Sequence, residues 1–238
     1  MIVIRSARAR RILRYLIPFF IIPALIAAGV FLLHERRYAL IALLMVLCAL
    51  ILFATGFERK RTGRRRMVLV SVLTALSVAG RFIPLLKPVA AMTILSGVYL
   101  GGEAGFLVGA LSAVISNFYF GQGPWTPFQM FAWGLIGLIA GYLSRPMQKS
   151  RGLLLLYCLI AGIAYSFIMD IWTVLWYNGT FNMGLYGAAL LSAIPHTIAY
   201  MVSNLLFLAL FAKPFGEKLG RIRLKYDIEP SSASMDAG

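Results

Sequence analysis

The chain has 238 residues, of which 61% are hydrophobic and 13% charged, and it carries a formal net charge of +15. A soluble domain needs about a quarter of its residues charged to cover its surface, so a soluble enzyme is excluded. Apolar runs of about 17–25 residues, enough to cross a hydrocarbon layer about 30 Å thick, recur along the sequence without the alternation of β-barrel spans, and the class is all-α: a polytopic transmembrane helix bundle.

In chain order, a first helix is expected over 15–33 and a second over 38–57, joined by the short turn His34-Glu35-Arg36-Arg37. The first run is long and has no small-residue cleavage site, so it reads as a retained helix rather than a signal peptide. A strongly basic linker, 58–66, divides this hairpin from the rest. A helix over 67–80 follows, then a loop with Arg81 and Pro84, Lys87 and Pro88, and a shorter apolar segment over 89–100. Further helices are expected over 104–119, 126–144 and 153–177, separated by a Gly-Gln-Gly-Pro turn at 121–124 and a basic loop at 145–151. Proline is favoured in the first turn of a helix, so the last helix is placed from Pro195, with 178–194 as a loop holding an interfacial piece. The tail from 227 is small and polar, a composition that stays disordered. Three units result: an N-terminal transmembrane hairpin with its linker (1–66), a six-helix core (67–226) and the tail (227–238), about eight helices in all.

Eight crossings put both termini on one side. Basic clusters at 5–14, 59–66, 145–151 and 213–225 then share that side and hold 19 of the 23 Lys and Arg. This is the positive-inside pattern, giving a multi-pass protein of the cytoplasmic membrane with both ends cytoplasmic. A nucleic-acid surface would need aromatic interleaving or a soluble binding module, and neither is present. The basic loops would attract anionic lipid headgroups weakly.

Hydrophilic side chains inside a membrane are costly and mark candidate sites. Asp170 lies about seven residues before the outer end of its helix, hence about 10 Å deep at 1.5 Å per residue, with Thr173 and Tyr177 on its face. His196 stands at the outer start of the last helix, with Tyr200 and Asn204 below it; Asn204, nearer the middle, is read as a helix-to-helix bond. The densest mixture of aromatic and amide groups runs from Asn117 to Trp133, with Phe120, Gln122, Trp125, Thr126 and Gln129 around the tight turn. An interfacial aromatic belt would explain the rings but not the amides. Rings plus a few amides make a binding wall for a flat, partly polar molecule, and Arg81 joins the set from its loop. Trp172 and Trp176 are assigned to the belt.

Small residues one turn apart (Ala75 with Ala79, Gly105 with Gly109, Gly137 with Gly141) let helices approach closely, and both glycine pairs are read as internal packing. Cys48 and Cys158 lie inside apolar runs as packing residues. No metalloprotease, P-loop or nucleophile-elbow motif and no paired carboxylates occur, so no catalytic residue, metal or cofactor is expected.

Taken together, Phe120-Gly-Gln-Gly-Pro-Trp-Thr-Pro-Phe-Gln-Met-Phe-Ala-Trp-Gly-Leu-Ile-Gly, Pro195-His196 with Asn204-Leu-Leu-Phe, and Arg221-Ile-Arg-Leu-Lys-Tyr resemble the S components of energy-coupling factor (ECF) vitamin transporters over about 67–226. The loop is most similar to the cobalamin-type subgroup. The resemblance implies a vitamin-binding subunit of an ABC importer without catalysis of its own. It would work with a transmembrane coupling protein and two ATPases, toppling in the membrane to release substrate inward. It also implies that Ala75 and Ala79 form the Ala-x-x-x-Ala contact with the coupling subunit. The hairpin is additional to the family's six-helix core, and Pro195 is followed by His196-Thr197 where that subgroup has Phe-Asp. Riboflavin or thiamine are the alternative vitamins; a membrane scaffold or an enzyme acting on a lipid-linked substrate through Asp170 and His196 are the readings from other classes.

Overall fold

The computed structural model describes residues 6–31, 38–56, 60–83 and 87–225. The turn expected at 34–37 and the tail from 227 lie outside them. Helix α1 (Ala7–Leu16) passes through a π-helical turn, Ile17–Ile21, into α2 (Ile22–Phe31), and α3 (Tyr38–Thr55) returns beside them. Pro18 stands in the first turn of the π segment and Pro23 just past its end; a proline removes an N–H and crowds the preceding turn, and a wider turn accommodates that locally. Next come α4 (Lys60–Gly80), α5 (Val89–Leu100), α6 (Gly102–Phe120), α7 (Trp125–Tyr142), short α8 (Ser144–Lys149), α9 (Arg151–Asn178) and α10 (Met183–Lys225). Every regular element among the described residues is helical.

Three boundaries differ from expectation. The basic linker is helical from Lys60 and continuous with the next helix; arginine and lysine are good helix formers. The basic loop at 145–151 contains α8. The final helix does not start at Pro195 but runs through it and through Pro214 for 43 residues. Its start lies where Asn182 Oδ1 accepts from Leu185 N–H at 3.0 Å, and asparagine is a preferred N-cap. Tyr186 Oη then donates to the Phe167 carbonyl at 3.1 Å, seating this first part on α9.

Five stretches are long and apolar enough to cross a membrane: Ala7–Val30, Tyr38–Thr55, Gly102–Phe120, Arg151–Asn178 and Met183–Ile222. Helix α4 falls short because it opens on arginines, and α7 because it carries Thr126, Pro127 and Gln129. Helix α5 falls short in length: 12 residues reach about 18 Å at 1.5 Å per residue. It is buried along almost its whole length, so its neighbours rather than lipid surround it. Its ends are met from outside: Ser203 Oγ accepts from Lys87 N–H at 2.7 Å, Asn204 Oδ1 accepts from Ala91 N–H at 2.9 Å, and Arg66 donates to the Leu100 carbonyl. Asn204 also donates to the Tyr200 carbonyl of its own helix at 2.8 Å, so its amide is held in place while Oδ1 ties α10 to α5.

Glycines set the spacing of α5, α6 and α7. A Cβ at Gly97 or at Gly105 would land on the backbone of Gly137, and one at Gly141 on that of Gly102. Helix axes this close gain van der Waals contact that larger residues would forbid. The hairpin adds to the same core: Ile22, Met45, Ala49, Leu52 and Phe53 are buried with Leu100, Phe106, Val108 and Leu138. On its outer side Leu40, Leu43, Leu47 and Ile51 are exposed, an apolar stripe suited to lipid. Two ends can be told apart. The basic end gathers Arg14, Arg66, Arg145 and Arg151; the aromatic end gathers Phe82, Phe118, Tyr119, Phe120 and Trp176.

Candidate functional site

At the aromatic end the turn from α4 delivers Arg81 against the last turns of α6. Its Nη1 donates to Ser116 Oγ and to Asn117 Oδ1 at 3.0 Å. Asn117, 2% exposed, uses its amide hydrogens in turn, donating to Thr126 Oγ1 at 3.0 Å and Gln129 Oε1 at 2.8 Å. Gln129 Nε2 donates to Tyr165 Oη at 3.0 Å. One chain of hydrogen bonds thus links α4, α6, α7 and α9. Each member satisfies the next, as buried polar groups must.

Packed aromatic rings line this chain. Trp133 and Tyr165 lie 5.4 Å apart at 11°, Tyr165 and Tyr200 5.0 Å apart, and Trp133 Nε1 donates to Tyr200 Oη at 2.8 Å. The Arg81 guanidinium stands 4.7 Å from the Phe120 ring and 5.2 Å from that of Trp133, within cation–π range. Phe120 belongs to an exposed cluster with Phe82, at 5.0 Å, and Tyr119, at 5.1 Å. Among the described residues no carboxylate pairs with Arg81. Its charge is met by an amide, a hydroxyl and two ring faces.

The turn into α7 follows from its glycines. Gly121 has φ 104, a conformation that costs a side-chain-bearing residue. A Cβ at Gly123 would strike the Trp125 ring. Trp125 therefore covers the turn. Gln122 donates to the Val114 carbonyl at 2.7 Å and accepts from Thr126 Oγ1 at 3.1 Å, tying the turn back to α6.

Of the sequence-derived candidates, Arg81, Asn117, Phe120, Gln122, Thr126, Gln129 and Tyr200 thus meet in or beside one network, with Trp125 over its turn. Asp170, Thr173 and His196 stand apart. Asp170 accepts from Ser166 Oγ at 3.2 Å, and Thr197 Oγ1 donates to that same Ser166 oxygen at 2.8 Å, a small polar bridge between α9 and α10. Thr173 turns back onto the Met169 carbonyl at 3.3 Å. His196 is exposed; it is an electrostatic neighbour of Asp170, and none of the described hydrogen bonds reaches it. Trp172 packs in tilted contact with Phe128, at 5.7 Å, and Trp176, at 5.2 Å. Sequence reasoning missed Ser116, Tyr165 and the role of Trp133. A tyrosine inside the apolar run 153–177 was the available signal for Tyr165, since a buried phenol needs a partner.

On α4, Ala75 and Ala79 are exposed, with Val68, Val72 and Leu76 on the same side, while Arg66, Val70, Leu73, Thr74 and Ser77 are buried on the other. Among the described residues no group of three His, Cys, Asp or Glu could hold a metal, and Cys48 and Cys158 are free thiols.

No curated protein and no solved structure matches the chain. The model of one protein family, described as ECF-type riboflavin transporter, S component, matches residues 62–221. That span starts inside α4, so the hairpin lies outside it, and the description names riboflavin where the loop at 120–137 suggested a cobalamin-type subgroup. The chain belongs to this ECF S-component family, a family of transporter subunits and not an enzyme class.

Proposed function

We propose that this S component captures a vitamin with a flat, carbonyl-bearing ring at its aromatic end, riboflavin first, for ATP-driven uptake. A coupling protein and two ATPases would work with it. The observation that carries the reading is the connected array of Arg81, Asn117, Gln129 and Tyr165 beside the packed rings of Trp133, Tyr165 and Tyr200. A guanidinium with no carboxylate beside it offers donors to ring carbonyls, amides read the ring edge, and aromatic faces hold its plane. Phe120, Gln122, Trp125 and Thr126 shape the rim. Asp170, Thr173 and His196, kept as ligand contacts, would touch the more hydroxylated part of a longer molecule from the α9–α10 side.

The orientation belongs to the same proposal. The basic end, with both termini, faces the cytoplasm by the positive-inside rule, and the aromatic end opens outward in the cell membrane. Ala75 and Ala79 on the exposed side of α4 supply the contact with the coupling protein. Residues 67–226 form the functional core, 1–66 an added hairpin and 227–238 a cytoplasmic tail.

The experiment is a spectrum of the purified protein followed by calorimetry with single vitamins. A yellow, fluorescent flavin retained through purification is the expected result. A red corrinoid would replace riboflavin by cobalamin, the vitamin suggested by the loop at 120–137. Retention of no vitamin at micromolar concentration would overturn the substrate-capture reading altogether.

A further inference from the structure

At the end opposite the candidate site, three charged side chains are buried together. Arg66 is 0% exposed, Glu103 2% and Arg14 9%. Arg14 Nε lies 2.6 Å from Glu103 Oε1, and Arg14 Nη2 donates to the Thr55 carbonyl at 3.4 Å. Arg66 donates to the carbonyls of Gly56 and Leu100, stands 5.5 Å from the Phe53 ring and feels the Glu103 charge. A Cβ at Gly56 would come within 3.0 Å of Arg66 Nη1 and 3.3 Å of Glu103 Oε2, so the glycine leaves the room this cluster occupies. Five elements meet here: α1 through Arg14, the end of α3 through Thr55 and Gly56, α4 through Arg66, the end of α5 through Leu100, and α6 through Glu103.

We propose that Arg14, Glu103 and Arg66 form a buried ionic lock that makes the N-terminal hairpin one rigid unit with the core and fixes the inner end of α4, the helix carrying the coupling face. Buried ion pairs are poor sources of net stability, and their best-attested use is to specify one register. The placement suits that use. Arg66 lies on α4 and Arg81 in the turn directly after its last residue, fifteen positions on, about 22 Å at 1.5 Å per residue. One grips the hairpin and core at the basic end, and the other grips the candidate vitamin site. Between them, on the exposed side of α4 away from Arg66, lie Ala75 and Ala79. The helix that would touch the coupling protein is therefore pinned at both ends, and the hairpin, which no part of the family match covers, is built into the inner pin. The lock itself is independent of the S-component function; its effect on coupling rests on that reading.

The test places spin labels at two exposed positions, Leu43 on α3 (56% exposed) and Leu156 on α9 (52% exposed), in the full chain carrying Cys48→Ala and Cys158→Ala. A narrow distance distribution is expected in the parent, broadening in Glu103→Gln and in the milder Arg14→Gln, which leaves Arg66 and Glu103 together and serves if the first variant does not fold. An unchanged narrow distribution in the variants overturns the lock. For coupling, Arg66→Gln is co-expressed with the coupling protein and ATPases. Co-purification should fall at least tenfold while vitamin retention is unchanged; wild-type co-purification overturns the coupling role. If the parent chain takes neither vitamin nor coupling protein, the S-component reading fails, and the label distances still decide the lock.

Discussion

The two ends of the bundle bury polar side chains by opposite means. At the basic end two arginines and one glutamate are sealed almost completely, and charge answers charge at 2.6 Å. At the aromatic end a single arginine meets neutral partners: Asn117 at 3.0 Å, Ser116, and the faces of Phe120 and Trp133. The first arrangement is closed, each ion being held by another ion or by a carbonyl. The second has donor capacity and ring surface that a ligand can use. A site that must bind and release cannot be locked by full ion pairs, whereas a joint that must never open is well served by them.

The largest effect that would break this contrast is expected at the closed end. Glu103→Gln leaves two buried guanidinium groups without their carboxylate, a loss of about 3–5 kcal/mol, read as a lowered melting temperature in detergent with the aromatic-end site still intact. A smaller loss, about 1–3 kcal/mol, is expected for Gly137→Ala, which forces α5, α6 and α7 apart and should lower the melting temperature and vitamin retention together. At the open end, Asn117→Ala strips partners from Arg81, Thr126 and Gln129; calorimetry should show vitamin affinity down about tenfold or more, about 1.4 kcal/mol. Trp133→Phe keeps the stacked ring but removes the bond to Tyr200, an effect of about 0.5–1.5 kcal/mol on stability with a several-fold loss in affinity. The smallest effect is expected at exposed His196: His196→Ala should leave stability within about 0.5 kcal/mol. Calorimetry should show a smaller affinity loss for His196→Ala than for Asn117→Ala, and an equal loss would make the α9–α10 side as strong a ligand contact as the network itself.

Much of this architecture was legible in the residues. Apolar run length and basic clusters gave the helical membrane class, and the mixture of amides and rings between Asn117 and Trp133 pointed to the turn where the network forms. Boundaries were less legible. Pro195 looked like a helix start because a proline suits a first turn, yet the cap is Asn182, thirteen residues earlier, and the apolar residues between them continue the helix. The ionic lock was hidden for a different reason. Arg14 and Arg66 sit within clusters whose other members read as ordinary cytoplasmic charge, and Glu103 falls just before the helix expected over 104–119. Only the packing of α1 and α3 against α6 singles out these three from their neighbours. Tyr165 was hidden likewise, one phenol in a run of apolar residues, its partner Gln129 on another helix.

Helix α5 carries a consequence of its own. About 18 Å of helix inside a layer about 30 Å thick ends in hydrocarbon depth at one or both termini, where free backbone groups would be intolerable. Ser203, Asn204 and Arg66 stand in for the water those termini would otherwise require. Sheathed in this way, the segment is indifferent to the lipid outside: a thicker or thinner bilayer would strain the longer surrounding helices first and reach α5 only if those three side chains let go.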